Sequence, residues 1–156
     1  MEKIPEEVVQ FFIGQSFSIV STVDKAGFPH NACKGIVKLS PGGEVYLLDL
    51  YRAATYHNLM VNPSISVTSV DEHKFKGYCL KGKAKAIEAK DFDAKLLKAW
   101  EDRINARITQ RLIKNITQEK GHPRHPEAFL PKPEYLIFMQ VEEIINLAPH
   151  QLRREG

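Results

Sequence analysis

The chain has 156 residues, of which 43% are apolar and 26% charged, and its formal net charge is +3. These values are typical of one folded domain and exclude an intrinsically disordered chain. The charge is too small to indicate nucleic-acid binding. The longest apolar run, residues 135–139, is too short to span a membrane, and residues 1–7 lack the pattern of a secretory signal. We therefore expect a cytoplasmic protein with a single domain over residues 1–156.

The sequence contains two cysteines and six histidines. Without an export signal, Cys33 and Cys79 are expected to be reduced thiols rather than a disulfide. Two thiols are also too few for a zinc site made of cysteines. His122 and His125 form an HxxH pair in a proline-rich loop, which we interpret as a solvated loop, so we predict no metal site.

The first third of the chain reads as a short helix followed by strands. Residues 5–13 are amphipathic and are followed by Gly14, which is typical of a short helix. The β-branched run that follows predicts a strand, and Asp24–Gly27 has the composition of a hairpin turn. Two further strands are expected around a Ser-Pro-Gly-Gly turn. The three predicted strands are residues 17–23, 28–39 and 44–50.

The remaining elements follow from changes in apolar periodicity. Residues 53–61 predict a short helix that ends before Pro63. Residues 64–70 and 78–87 alternate as strands, with Lys81, Lys83 and Lys85 on one face, where we expect them to protect a sheet edge.

Beyond residue 91 the apolar residues recur every four positions, which predicts a helix over about residues 91–121, or two shorter helices. Residues 135–141 predict the last strand. The result is a mainly β protein with helices (α+β): a six-stranded antiparallel barrel with a helical insertion before its last strand.

The link between the third strand and the following helix is a candidate anion site. Arg52 and Thr55 lie where the helix begins, and free backbone N–H groups make a helix start attractive to phosphate. Arg52 would supply a guanidinium and Thr55 a hydroxyl. The alternative is that Thr55 only caps the helix and Arg52 is solvated.

Three segments resemble the flavin-nucleotide-binding split-barrel proteins related to pyridoxamine 5′-phosphate oxidase. They are Ala32-Cys-Lys-Gly-Ile36, Thr55-Tyr-His-Asn-Leu59 followed by Asn62-Pro63, and Gly77-Tyr-Cys-Leu-Lys-Gly82. Each is weak alone, but their order and spacing together are specific. The resemblance covers about residues 5–88, with a looser match at the last strand.

The resemblance implies an FMN-type split barrel that forms a homodimer, with FMN in a groove between the two barrels. Residues 31–35 would run beside the isoalloxazine ring, and Lys34 would face a ligand carbonyl or phosphate. The end of the third strand would lie near the flavin, and the helix start would bind the phosphate. With Arg52 added, the predicted cofactor contacts are Asn31, Ala32, Cys33, Lys34, Gly35, Leu48, Asp49, Arg52, Thr55 and Asn58.

The sequence departs from the family pattern in two places. Ala53 and Ala54 stand where many relatives have a basic residue, and the tryptophan and arginine that the true oxidase uses near its C-terminus are absent. We therefore do not expect pyridoxamine 5′-phosphate oxidase activity, and no catalytic residue is assigned. The substrate and the electron donor are unknown.

Several alternatives stay open. The protein is either a small oxidoreductase or a non-catalytic flavin carrier or sensor, and a related barrel could hold haem or a deazaflavin. A third hypothesis is a basic barrel that binds nucleic acid or protein through Lys81–Lys85. In the insertion, Arg103, Arg107 and Arg111 form either a solvated stripe or a surface over the flavin groove that would meet an anion.

Overall fold

The protein is described here from a computed structural model that covers residues 3–117 and 132–151. These residues form three α-helices, one 3-10 turn at Ala89–Asp91 and seven strands. The helices are α1 (Glu6–Gly14), α2 (Ala54–Val61) and α3 (Ala94–Ile116). The strands are β1 (Ser18–Val23), β2 (Pro29–Lys34), β3 (Ile36–Leu39), β4 (Glu44–Leu48), β5 (Ser64–Asp71), β6 (Lys76–Glu88) and β7 (Tyr135–Asn146).

The predicted α+β class is correct, and each predicted element corresponds to an observed one. The turn after β1 forms as expected, because Asp24 Oδ1 accepts the backbone N–H groups of Ala26 and Phe28. Gly27 follows with φ of 87°, a conformation that glycine adopts without steric cost.

The predicted number of six strands is wrong, because the second predicted strand divides into β2 and β3 at Gly35. The carbonyl of Gly35 accepts the N–H of Leu48 at 2.9 Å. A Cβ at Gly35 would lie only 3.1 Å from Nη1 of Arg107, so a side chain here would crowd the guanidinium. The break therefore lies at a residue whose surroundings favour the absence of a side chain.

The seven strands form one antiparallel sheet in the order β2-β1-β5-β6-β7-β4-β3. Its two edge strands, β2 and β3, are separated in the chain only by Gly35. The sheet must therefore curl until its edges come together, which gives a half-barrel. β6 lies in the interior of this sheet, so the expectation that Lys81, Lys83 and Lys85 protect an edge is wrong.

One apolar core fills the curl of the sheet. α1 contributes Val8, Val9 and Phe12, and α2, which contacts β1, β2 and β6, contributes Leu59. The strands supply the remainder from alternate positions, as expected for a sheet with one buried face. The core residues from the strands include Val20, Ile36, Leu39, Val45, Leu47, Ile65, Val67, Leu80, Ile137, Met139 and Val141.

Helix α3 begins with a side-chain cap, since Asp93 Oδ1 accepts the N–H of Leu96. Leu96, Trp100 and Ile104 are buried as predicted, but Leu112 and Ile116 are exposed. A repeat of four residues exceeds the helical period of 3.6, so the stripe rotates around the helix axis. Three positions after Ile104, the residue on the buried side is Arg107, which is only 8% exposed.

Two arginines of α3 bind the C-terminal end of α1. Arg103 donates to the carbonyls of Ile13 and Gln15, and Arg107 donates to the carbonyl of Ser16. The Arg107 guanidinium also lies 4.2 Å from the ring centroid of Phe17. The last carbonyls of a helix lack intrahelical donors and carry negative partial charge, so guanidinium groups stabilise them. The solvated interpretation of this stripe is therefore wrong for Arg107.

Two predictions fall outside the described residues: the HxxH pair, His122 and His125, and the end of the predicted helix beyond residue 117. Within residues 3–117 and 132–151, no helix has the length and apolar character needed to cross a bilayer.

Candidate functional site

A buried ion pair joins the ends of two strands. Lys34 is the last residue of β2, and Asp49 directly follows β4. The Lys34 Nζ lies 2.8 Å from Asp49 Oδ1, and the two side chains are only 10% and 6% exposed. Burial of each charge is costly, and each partner offsets the cost for the other. The two residues that the sequence placed near a flavin ring are therefore in direct contact.

The second carboxylate oxygen of Asp49 lies next to Tyr135. Leu48 pairs with Leu136 in the antiparallel β4–β7 register, so Asp49, the next residue after Leu48, comes beside Tyr135, the residue before Leu136. Asp49 Oδ2 and the Tyr135 hydroxyl are both buried, and neither has a hydrogen bond of standard geometry to any described residue. Burial, together with the Asp49 carboxylate, raises the pKa of Tyr135. Tyr135 is therefore neutral at physiological pH, and its hydroxyl can donate a hydrogen bond.

The start of α2 carries unused backbone donors. The N-cap is Ala53, whose side chain cannot form a capping hydrogen bond, and the first helical bond runs from the His57 N–H to the Ala53 carbonyl. The N–H groups of residues 54–56 therefore have no acceptor within the helix. Thr55 lies in this turn and is 3% exposed. The expectation that Thr55 caps the helix is wrong, because the N-cap is Ala53.

Arg52 does not project freely into solvent. Its Nη2 and Nη1 donate to the two carboxylate oxygens of Glu88 at 2.8 and 3.2 Å, and Nη1 also donates to the Tyr56 hydroxyl at 2.8 Å. The guanidinium carbon lies 4.8 Å from the ring centroid of Tyr56 and 4.6 Å from that of Tyr135. Arg52, which was predicted to bind a phosphate, is thus paired with the Glu88 carboxylate of the same chain, beside the start of α2.

Asn58 links α2 to the sheet. Its Nδ2 donates to Thr22 Oγ1 at 3.0 Å, and both side chains are buried. The contact fixes the orientation of the helix over β1. Asn58, which the resemblance placed at the phosphate-binding helix start, therefore has its amide nitrogen engaged within the protein.

The predicted contacts on β2 face both sides of the sheet. Asn31 and Cys33 are exposed on the outer side, where the Ser21 hydroxyl donates to Asn31 Oδ1 at 2.6 Å. Lys34 points to the opposite side, towards Asp49. Ala32 and Leu48 are half-buried. Cys33 and Cys79 are both free thiols, as expected.

The structure thus gathers part of the predicted set into one region. Lys34 contacts Asp49, Asp49 lies beside Tyr135, and Arg52 packs on the Tyr135 ring just before α2 begins. Two further members of this cluster, Tyr56 and Glu88, were not predicted. Tyr56 lies within the Thr55–Leu59 motif but was given no role, whereas Glu88 belongs to no motif and only the sheet register brings it opposite Tyr135.

The lysine face of β6 carries little unpaired charge. Lys81 Nζ lies 3.4 Å from Glu143 Oε2, and Lys83 Nζ donates to the Ser64 hydroxyl at 2.8 Å. The Lys85 ammonium lies 5.9 Å from the ring centroid of Phe138. A groove of about 430 Å³ runs along this outer face, lined by Lys81, Lys83 and residues of β1 and β5.

The sequence matches the family described as pyridoxamine 5′-phosphate oxidase over residues 4–133. Because this match covers most of the chain, the protein belongs to the pyridoxamine 5′-phosphate oxidase family. The resemblance seen in the sequence is thereby confirmed. No curated protein sequence matches the chain.

Solved structures with the same fold include HupZ from Group A Streptococcus, with 21% identity, a TM-score of 0.62, and coverage of 93% of this chain and 94% of HupZ. A protein related to general stress protein 26 from Clostridium acetobutylicum is 16% identical, with a TM-score of 0.56 and coverage of 96% and 99%. An F420 reductase is 15% identical, with a TM-score of 0.58 and coverage of 91% and 98%. At these identities the comparison establishes a shared fold.

The Lys34–Asp49 pair predicts strong coupling between two substitutions. Lys34→Met leaves a buried carboxylate without its cation and should lower the free energy of unfolding by about 3 kcal/mol. Asp49→Asn should also destabilise, and the double variant should lose less than the sum of the two single losses. Denaturant unfolding of all three variants measures the coupling energy.

Lys81→Met is the matched control, because it removes a lysine from an exposed pair and should change the unfolding free energy by less than about 1 kcal/mol. Additive losses for Lys34→Met and Asp49→Asn would show that the buried pair contributes no interaction of its own.

Proposed function

We propose that this protein binds FMN, with the phosphate at the start of α2 and the isoalloxazine ring beside β2 and the end of β4. The observation that carries the proposal is the uncapped first turn of α2, which contains the buried Thr55 and follows shortly in the chain after Asp49 of the Lys34–Asp49 pair. Backbone N–H groups at a helix start are suited to a phosphate. Membership of the pyridoxamine 5′-phosphate oxidase family supports the choice of a flavin nucleotide.

The chemistry of the side chains suits the ring of such a ligand. An ammonium group has three N–H donors, and Asp49 is the one described side chain to which Lys34 donates. Two donors of Lys34 are left for carbonyl or ring nitrogen acceptors of the ligand. Asp49 Oδ2 and the Tyr135 hydroxyl, both buried and without a standard hydrogen bond among the described residues, provide an acceptor and a donor next to it.

Bound FMN would supply redox chemistry, and the protein would supply orientation and charge around the ring. We propose a small oxidoreductase as the activity. The alternative is a flavin carrier or sensor on the same fold. Steady-state oxidation of NADH or NADPH by the FMN-loaded protein with an added acceptor distinguishes the two.

The proposed binding site includes a second copy of this chain. Strands β1 and β2 present Ile19, Asn31 and Cys33 on their outer side, whereas Lys34 faces inward. If residues 31–35 run beside one flavin, the outer face of β1 and β2, which includes the exposed Ile19, is available for contact with a second barrel. We propose that this face lies in the interface of a two-fold symmetric homodimer.

Analytical ultracentrifugation tests the dimer. We expect the purified protein to sediment as a dimer at micromolar concentration, and Ile19→Lys to shift it towards the monomer, because the charge would be buried in the interface. Val70→Lys places the same charge at another exposed apolar position and is the control for non-specific effects. A monomeric wild-type protein would contradict the proposal.

The phosphate site predicts that Thr55→Val discriminates between two flavins. The hydroxyl is lost while the volume is kept, so FMN should bind about ten-fold more weakly, and riboflavin, which has no phosphate, should be affected less than two-fold. Fluorescence titration with each flavin gives the two dissociation constants. Mass spectrometry of any chromophore that copurifies identifies a deazaflavin or haem.

Thr109→Val, at an exposed position of α3 outside the proposed site, is the matched control for loss of a threonine hydroxyl. Equal weakening of FMN and riboflavin by Thr55→Val would show that the hydroxyl supports the fold rather than the phosphate. Failure of the wild-type protein to bind either flavin would contradict the function itself.

A further inference from the structure

Glu88 occupies the binding face of Arg52. A guanidinium recognises a carboxylate or phosphate with two parallel N–H donors, and in Arg52 both Nη atoms are directed to Glu88. The same fork cannot hold a second anion in this way while Glu88 is in place. The contact also lowers the pKa of Glu88, so its carboxylate is charged at neutral pH.

The guanidinium itself has little freedom to move. It lies beside the rings of Tyr56 and Tyr135, which contact each other edge to face, and it donates to the Tyr56 hydroxyl. Contacts with two aromatic rings and a hydroxyl restrict the position of the cation. Arg52 is therefore a preformed anion-binding group, and any rearrangement that frees its fork must come from Glu88.

Glu88 is suited to such a rearrangement. It is the last residue of β6, its side chain is 43% exposed, and it borders a groove of about 480 Å³ between α2 and β6. Ion pairs at this exposure are weak, since solvent and salt screen them. A dianionic phosphate near Arg52 would both repel the Glu88 carboxylate and replace it on the fork.

We propose that Glu88 is an internal competitor for Arg52, which lowers the affinity of the site for the phosphate of its ligand and is displaced when the ligand binds. The proposal rests on the proposed function, because the phosphate that displaces Glu88 is taken to be that of FMN. It assigns Glu88 as a residue that determines affinity for anions, a role that the sequence does not indicate.

The test is a gain of affinity. Glu88→Gln removes the competing charge and keeps the shape, so it should tighten FMN by a factor of about 2 to 5 at low salt, with riboflavin unchanged. The gain should shrink as salt is added. In the double variant Arg52→Gln/Glu88→Gln the gain in FMN affinity should disappear, because the guanidinium for which Glu88 and the phosphate compete is absent. Isothermal titration calorimetry gives each affinity, and thermal unfolding midpoints confirm that each variant is folded.

Glu143→Gln is the matched control, because it makes the same change in net charge by removing the partner of an exposed lysine on β6. A second titration with inorganic phosphate, read by chemical-shift changes around Arg52, is independent of flavin binding. Tighter phosphate binding by Glu88→Gln alone supports the proposal even if FMN is not the ligand. Unchanged affinity for both FMN and phosphate, or an equal gain in Glu143→Gln, overturns it and leaves the flavin proposal standing.

Discussion

The ion pair between Lys34 and Asp49 is the contact on which the arrangement of the candidate site depends. It connects the end of β2 to the end of β4, which are on opposite sides of the break at Gly35. A buried charge without a partner is strongly unfavourable, so the two strand ends are held at a fixed distance. Asp49 in turn lies beside Tyr135, and the ring of Tyr135 contacts the Arg52 guanidinium.

The same region is supported from the other side by the helical insertion. Arg107 of α3 lies over Gly35, stacks on Phe17 and donates to the Ser16 carbonyl. α3 is thereby tied both to the link between α1 and β1 and to the residue next to Lys34. The insertion, which the family resemblance explained least, contacts the strand break that positions the candidate site.

Much of the fold could be predicted because local patterns coincide with it. The alternation in residues 64–70 reflects a strand with one buried face, and the turn at Asp24–Gly27 reflects interactions between near neighbours in the chain. The break at Gly35 could not be predicted, and the guanidinium that leaves little room for a side chain there comes from a helix about seventy residues later in the chain. For Arg107 the sequence left a solvated stripe and a surface over the flavin groove open, and neither predicted its burial, because the four-residue apolar repeat leaves the buried face after Ile104.

The sequence could predict several of the residues that belong to the candidate site, but not the contacts among them. The motif around Thr55 indicates a helix start, but it does not show that Ala53 leaves its N–H groups uncapped. The pairing of Arg52 with Glu88, and of Lys34 with Asp49, depends on the register of β6, β7 and β4, which one sequence does not specify. The sequence suggested that Arg52 was available to a ligand, whereas the fold places a carboxylate on it.

Hydrogen exchange with and without saturating FMN tests the central claim most directly, because it locates the ligand without any substitution. We predict slower exchange of the backbone N–H groups of residues 54–56 and of residues 31–35, with residues 64–66 and 81–83 on the outer face unchanged. Protection confined to that outer groove, or no change anywhere at saturating FMN, would contradict a flavin site built from β2, β4 and α2.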